Sequence, residues 1–64
     1  MSHEPKVLPK LVKAGEVADS LGKSPKTVYK MAQRGALPHV KFGSSVMFDP
    51  DEIIRWIDDH RVAA

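Results

Sequence analysis

The segment from Ser24 to Arg34 is rich in side chains with hydrogen-bond donors, hydroxyls and positive charge. Arginine and lysine can donate to guanine O6 and N7, glutamine can pair with adenine N6 and N7, and threonine can contact a thymine methyl group or a phosphate. From Ser20 to Phe48 the chain contains no Asp or Glu. The candidate contact residues of the segment are Ser24, Lys26, Thr27, Tyr29, Lys30, Gln33 and Arg34. Their chemistry predicts contact with double-stranded DNA.

A helical period places most of these side chains on one side of a single helix. At about 100° per residue, the polar side chains between residues 26 and 34 share an arc of roughly 160°. The opposite arc is apolar and contains Val28, Met31 and Ala32. An ordinary amphipathic helix with a solvated polar face is the alternative, and the absence of any acid across that face argues against it. Tyr29 stays open between the edge of the core and a contact with the groove.

Sequence signals at the ends of this helix indicate a helix-turn-helix. Ser24 is a good N-cap, Pro25 suits the first helical position and Gly35 ends the helix, which is predicted over residues 25–34. A first helix is predicted over residues 14–21, with Gly22 as a left-handed stop and Lys13 as a poor N-cap. Two short helices joined by a tight turn that contains glycine outline the motif. A helix of this width fits the major groove of B-DNA.

A β-hairpin is predicted after the second helix. Residues 39–42 and 46–48 alternate in polarity, and the glycine and serines at 43–45 between them are typical of a turn. We expect Lys41 and Met47 to point outward. The inner face is then expected to contain Val40, Phe42, Val46 and Phe48.

A third helix is predicted over residues 50–60. Asp49 is its N-cap, Pro50 its first residue, and Glu52 completes a capping box. His60 favours the negative end of the helix. The core side is predicted to contain Ile53, Ile54, Trp56 and Ile57, and the acids of the other side would repel phosphates.

Length and composition limit what the chain can do. Its 64 residues allow one small domain with little room for a catalytic pocket, so we expect neither an enzyme nor a cofactor. Without cysteine, and with His3, His39 and His60 at spacings that do not suit a ligand set, no metal site is expected. No apolar run could span a membrane and no signal-peptide pattern is present, so we expect a cytoplasmic protein of a bacterial or phage-infected cell.

The motifs resemble the small winged helix-turn-helix of excisionases, and AlpA-type prophage regulators and the DNA-binding domains of MerR-type regulators are similar. The resemblance covers about residues 11–58, and the Asp49-x-x-Glu52-Ile53-x-x-Trp56-Ile57 ending belongs to it. Its main run is Glu16-Val17-Ala18-x-x-Leu21-Gly22-x-Ser24-x-x-Thr27-Val28-Tyr29-Lys30-Met31-x-x-x-Gly35-x-Leu37-Pro38. The resemblance implies an α+β, mostly α, fold with the order α-α-β-β-α. It also implies a hairpin that acts as a wing, with Lys41, Ser44 and Ser45 as contacts, although relatives commonly carry arginine at the tip.

The resemblance also implies a biological role. An excisionase, or recombination directionality factor, binds and bends attachment-site DNA cooperatively and directs an integrase toward excision. Its partners would be double-stranded DNA, an integrase and further copies of the chain. A small AlpA-type or MerR-like transcriptional regulator is one alternative, and a protein-interaction module that docks through the acidic third helix is another. We expect an N-terminal arm over residues 1–10, the DNA-binding domain over 11–61 and a short tail over 62–64.

Overall fold

The architecture is a winged helix-turn-helix made of three helices and one two-stranded antiparallel sheet. The structure, a computed structural model, describes residues 8–62. Its elements are α1 (Ala14–Leu21), α2 (Pro25–Gln33), β1 (Val40–Phe42), β2 (Ser45–Met47) and α3 (Pro50–Asp59). The predicted α+β, mostly helical, fold with the order α-α-β-β-α is therefore confirmed. Most of the predicted N-terminal arm lies outside the described residues.

The turn between α1 and α2 is fixed by local hydrogen bonds at both of its ends. Gly22 ends α1 with a φ of 67°, a left-handed conformation that glycine adopts without strain, and the Lys23 N–H donates to the Ala18 carbonyl over 2.9 Å. Ser24 then begins α2, because its Oγ accepts from the Thr27 N–H over 3.2 Å. Lys13 makes no side-chain cap for α1. Three residues thus reverse the chain and set α1 against α2.

The core lies where α1, α2, α3 and the end of the hairpin meet. Its buried side chains are Ala14, Val17, Ala18, Val28, Ala32, Leu37, Phe48 and Ile53. Phe48 is fully buried and is held by an isolated bridge to the segment before α1. The Val12 N–H donates to the Phe48 carbonyl over 2.8 Å, and the Phe48 N–H donates to the Val12 carbonyl over 2.9 Å. This bridge anchors the hairpin to the helical part of the molecule.

The register of the hairpin differs from the predicted one. Phe42 pairs with Ser45, so the turn contains only Gly43 and Ser44, and Lys41 pairs with Val46. Cross-strand partners share a face, and a shift by one residue exchanges the two faces of a strand. The predicted placement of Val40 and Phe42 beside Val46 on the inner face is therefore wrong. Lys41 shares the face of Val46, yet its side chain is exposed, as predicted.

The observed register places apolar side chains on the outer face of the hairpin. Phe42 and Val40 share that face with Met47, whose outward position is as predicted, and Phe42 is 56% exposed. Val46 packs against the core instead. β1 is one residue shorter than predicted, since it begins at Val40, and β2 keeps its predicted length but is shifted by one residue to Ser45–Met47.

Helix α3 buries a narrower stripe than the sequence suggests. Ile53 is buried, and Trp56 and Ile57 pack against the core, whereas Ile54 is 56% exposed. The predicted core position of Ile54 is wrong, because it follows Ile53 by about 100° and falls off the edge of the buried stripe. No helix among residues 8–62 has the length and apolar character needed to cross a membrane.

The ends of α2 and α3 deviate slightly from the prediction. Helix α2 stops at Gln33 with Arg34 as its C-cap, and α3 stops at Asp59 with His60 as its C-cap. At the start of α3 the Asp49 carboxylate accepts from the Asp51 N–H over 3.0 Å. Asp49 thus caps the helix through the N2 residue, and within the described part of the chain neither hydrogen bond of the predicted capping box with Glu52 is formed.

Candidate nucleic-acid interface

The polar side of α2 is open to solvent along its whole length. All seven candidate residues of this segment, from Ser24 to Arg34, are exposed, while Val28 and Ala32 on the opposite side are buried in the core. The exposed side is therefore not part of the core. Its cations, amide and hydroxyls are free to contact a ligand that lies along the helix.

The hydroxyls at the start of α2 also have a structural part. The Ser24 Oγ accepts from the Thr27 backbone N–H and lies 3.0 Å from the Thr27 Oγ1. These contacts fix both side chains in the first turn of the helix. A phosphate at this end would meet a preformed pair of hydroxyls, and both residues remain exposed.

A groove of about 610 Å³ separates α2 from the hairpin. Tyr29 and Gln33 line it from the helix, and Lys41 and Ser44 line it from the hairpin. The two elements that the sequence reasoning assigned to DNA contact thus border one concave surface. None of the described residues that line the groove is an acid. The described lining residues therefore carry no negative charge that would repel a polyanion.

Tyr29 borders this groove on the α2 side. Its side chain is 44% exposed and lines the groove beside Gln33, one turn further along α2. Tyr29 is therefore not part of the buried core, and its contact with a groove of DNA stays a prediction. A phenol in this position can donate and accept hydrogen bonds.

Other candidates lie outside the groove. Lys26, Lys30 and Arg34 are exposed on α2 but do not line it. Ser45 pairs with Phe42 on the outer face of the hairpin, whereas Ser44 of the turn lines the groove. The two serines of the expected wing tip therefore face different surroundings.

His39 is a groove residue to which the sequence reasoning gave no functional part. It is exposed and lines the groove together with Lys41, two residues further along the chain. Its Nδ1 lies 3.0 Å from the Leu37 carbonyl oxygen. The signal for His39 in the sequence is its spacing of two residues from Lys41. A search for metal-ligand spacings does not detect this signal.

The acids of the third helix lie on a separate surface. Glu52 and Asp59 line a shallow depression with Pro38, Arg55 and Trp56. The Trp56 Nε1–H donates to the Ala36 carbonyl over 2.9 Å. This hydrogen bond joins α3 to the segment that follows α2. Glu52 and Asp59 thus lie away from the lining of the groove between α2 and the hairpin.

His60 lies at the C-terminal end of α3, as predicted. Its Nδ1 donates to the Trp56 carbonyl over 2.7 Å, and the two rings stack with centroids 4.1 Å apart. The histidine thus satisfies a terminal carbonyl of the helix. Across the described residues no group of His, Asp and Glu side chains is arranged to hold a metal ion.

The fold defines the class of protein: it is a winged helix-turn-helix domain. Its second helix carries exposed cations and no acid. The sequence model of the family described as "Helix-turn-helix domain" matches residues 11–61, and the chain belongs to this family. Membership indicates that DNA is its partner, and proteins of this family are generally not enzymes. No curated protein and no solved structure matches the chain.

Proposed function

We propose that this protein binds double-stranded DNA in a sequence-specific manner, with α2 in the major groove and the hairpin beside the adjacent backbone. The observation that carries the proposal is the placement of all ten candidate residues on exposed positions of these two elements. Four of them, Tyr29, Gln33, Lys41 and Ser44, border the same groove. A surface without carboxylates favours a polyanion.

The two elements have different parts in this complex. Lys30, Gln33 and Arg34 lie on the last turns of α2 and have the donors that distinguish guanine and adenine from other bases. Lys41 and Ser44 suit the phosphate backbone, since an ammonium and a hydroxyl donate without reading sequence. Specificity would thus come from α2, and the hairpin would fix the orientation of the domain on the duplex.

Within this class we propose the role of an excisionase, which the motif resemblance supports. Such a protein would bind adjacent sites as several copies, bend the DNA and direct an integrase toward excision. A small transcriptional regulator has the same interface and is the alternative. An excision and integration assay with the cognate integrase separates the two, because a regulator would leave both reactions unchanged.

A protein-interaction module is the candidate from another class, and the exposed Ile54 gives it some support. This side chain lines an apolar depression between α1 and α3 with Ile53 and Ile57, away from the cations of α2. Such a module would not require DNA. Binding that falls as salt rises is required of the DNA-binding function and not of this alternative.

The DNA-binding proposal is tested by selection from a pool of duplexes with a randomised segment. Sequence-specific binding predicts that a motif is enriched over successive rounds and is protected in a footprint. Several copies on one site would give repeats about one helical turn apart, roughly 10 base pairs. Retention of duplexes without any enriched motif would contradict specificity, and no retention at low salt would contradict DNA binding itself.

A further inference from the structure

His39 lines the groove between α2 and the hairpin, and the function proposed above does not use it. We propose that the protonated His39 side chain binds a phosphate of the DNA backbone through Nε2. The inference rests on the proposed function, since it adds one contact to the same complex. It also gives the complex a dependence on pH that lysine and arginine contacts cannot supply.

The hydrogen bond at Nδ1 determines what the other ring nitrogen can do. A backbone carbonyl oxygen can only accept, so the Nδ1 that lies 3.0 Å from the Leu37 oxygen carries the hydrogen. Leu37 is buried, so the carbonyl that accepts this hydrogen bond belongs to a residue anchored in the core. Among residues 8–62 no group hydrogen-bonds the His39 Nε2, and the side chain is exposed. This nitrogen is therefore the one available to a ligand.

The charge of the ring decides whether that nitrogen can meet a phosphate. In the neutral ring Nε2 has only a lone pair, and phosphate oxygens also only accept, so no hydrogen bond forms. In the cationic ring Nε2–H donates to the phosphate, and the bond is strengthened by charge. Histidine is the side chain that gains its charge between about pH 8 and pH 5.

The surroundings of His39 favour a phosphate as its partner. The titratable groups that face the same groove are Lys41 from β1 and Tyr29 from α2, and α3 contributes the indole of Trp56 on the other side. Neither lining contains a carboxylate, and no carboxylate among residues 8–62 forms an ion pair with the His39 ring. The nearby acids Glu52 and Asp59 line a different depression.

The position of His39 near Lys41 and Ser44 favours a contact with the DNA backbone over a contact with a base. These three residues follow the wall of the groove formed by the hairpin, which the proposed complex places against the phosphates. A neutral His39 could instead accept from a base amino group, and that contact would weaken on acidification. The two possibilities therefore predict opposite responses to pH.

The test is a salt titration of duplex binding at about pH 8 and about pH 5.5. The proteins are wild type and His39→Gln, and the probes are an enriched duplex and a random duplex of equal length. For wild type we expect affinity for both duplexes to rise about tenfold on acidification, the effect of one charge-assisted hydrogen bond. The slope of log affinity against log salt should steepen by about 0.9. His39→Gln should show neither change.

Controls separate this contact from other effects of pH. His60→Gln and His3→Gln should retain the wild-type response, and circular dichroism at both pH values should show unchanged helix content for His39→Gln. In an independent measurement, the ¹⁵N shift of the His39 Nε2 should move to the protonated position when duplex is added near pH 7. That readout uses the wild-type protein and does not depend on the fold of a variant.

Three results would overturn the inference. These are a wild-type affinity independent of pH, an equal response in His39→Gln, or a loss of affinity on acidification that is confined to the enriched duplex. Each leaves the proposed function intact, because duplex binding is still observed. Failure of wild type to bind any duplex at either pH would instead contradict the proposed function together with the inference.

Discussion

Adjacent isoleucines of α3 have opposite environments, which makes them a matched pair for testing the core. Ile53 is 5% exposed and Ile54 is 56% exposed. We expect Ile53→Ala to lower the free energy of unfolding by about 2–4 kcal/mol, since it leaves a cavity in the core. Ile54→Ala should change it by less than about 0.5 kcal/mol. Urea denaturation followed by circular dichroism measures both, and equal losses would contradict the observed rotation of α3.

Trp56 joins α3 to the backbone after α2, and its two kinds of contact can be separated. Trp56→Phe removes the hydrogen bond to the Ala36 carbonyl but keeps a ring against the core, so we expect a loss of about 1 kcal/mol. Trp56→Ala removes the ring as well and should cost about 3 kcal/mol, the lower end of the range for large aromatic residues because Trp56 is only half-buried. Indistinguishable stabilities of the two variants would show that the ring packs weakly.

The sequence pattern predicted which side chains of α2 are exposed. It did not predict features that depend on contacts between elements. The period of α2 separated Val28 and Ala32 from the cations, because one helix has one buried side. The same period placed Ile54 in the core, because periodicity gives an order around a helix and not the width of the stripe that its neighbours cover. His39 was overlooked since its orientation depends on a hydrogen bond to Leu37.

The first residues of α1 and α2 differ in capping: Ser24 caps α2, whereas Lys13 does not cap α1. We therefore expect substitutions at the two positions to change stability in opposite directions. Ser24→Ala removes the acceptor for the Thr27 N–H and should lower stability by about 1 kcal/mol. Lys13→Ser would introduce a cap where none exists, with Glu16 at the position that completes a capping box, and should raise stability by about 0.5–1 kcal/mol. Thermal unfolding measures both, and a destabilising Lys13→Ser would contradict the assigned start of α1.

The register of the hairpin shows why one element could not be fully predicted. The strands and the glycine at position 43 are visible in the sequence, but a two-residue and a three-residue turn are both compatible with Gly43-Ser44-Ser45. Gly43 has a φ of 58°, and a positive φ at the first turn residue alone is typical of the type II′ two-residue turn. One residue of difference exchanged the faces of Val40 and Phe42.

That register makes a prediction for the wing. Ser44 lines the groove and Ser45 lies on the outer face, so the two positions should respond differently to arginine. Ser44→Arg should strengthen binding to any duplex and steepen the slope of log affinity against log salt by about 0.9. Ser45→Arg, which adds the same charge, should have a smaller effect on both. A larger effect of Ser45→Arg would show that the outer face of the hairpin meets DNA.

At the scale of the whole molecule, the order of elements and the segregation of charge were predictable, and the assembly of the core was not. Caps, glycine stops and alternation act locally, so they can be read along the chain. The Val12–Phe48 bridge joins residues far apart in sequence and has no local signal. Leu37, buried in the connection before β1, likewise gains its place from tertiary packing. These contacts decide where the hairpin stands beside α2.

The central claim is that the exposed side of α2 binds DNA. It is tested most directly by the affinity of Lys30→Ala, Arg34→Ala and the double variant for an enriched duplex and a random one. The matched control is Arg55→Ala, which removes an exposed cation from α3, on the surface that carries the acids. All variants should keep the wild-type unfolding midpoint, since these side chains lie outside the core.

We expect each α2 variant to lose about 1–3 kcal/mol of binding free energy on the enriched duplex if its side chain reads a guanine, with relaxed specificity at that base. A phosphate contact would instead weaken both duplexes alike and lower the salt slope by about 1. Arg55→Ala should bind as wild type does. A double variant that binds the enriched duplex as tightly as wild type, or an Arg55→Ala variant that loses as much affinity as Arg34→Ala, would contradict the assignment of α2 as the DNA-binding helix.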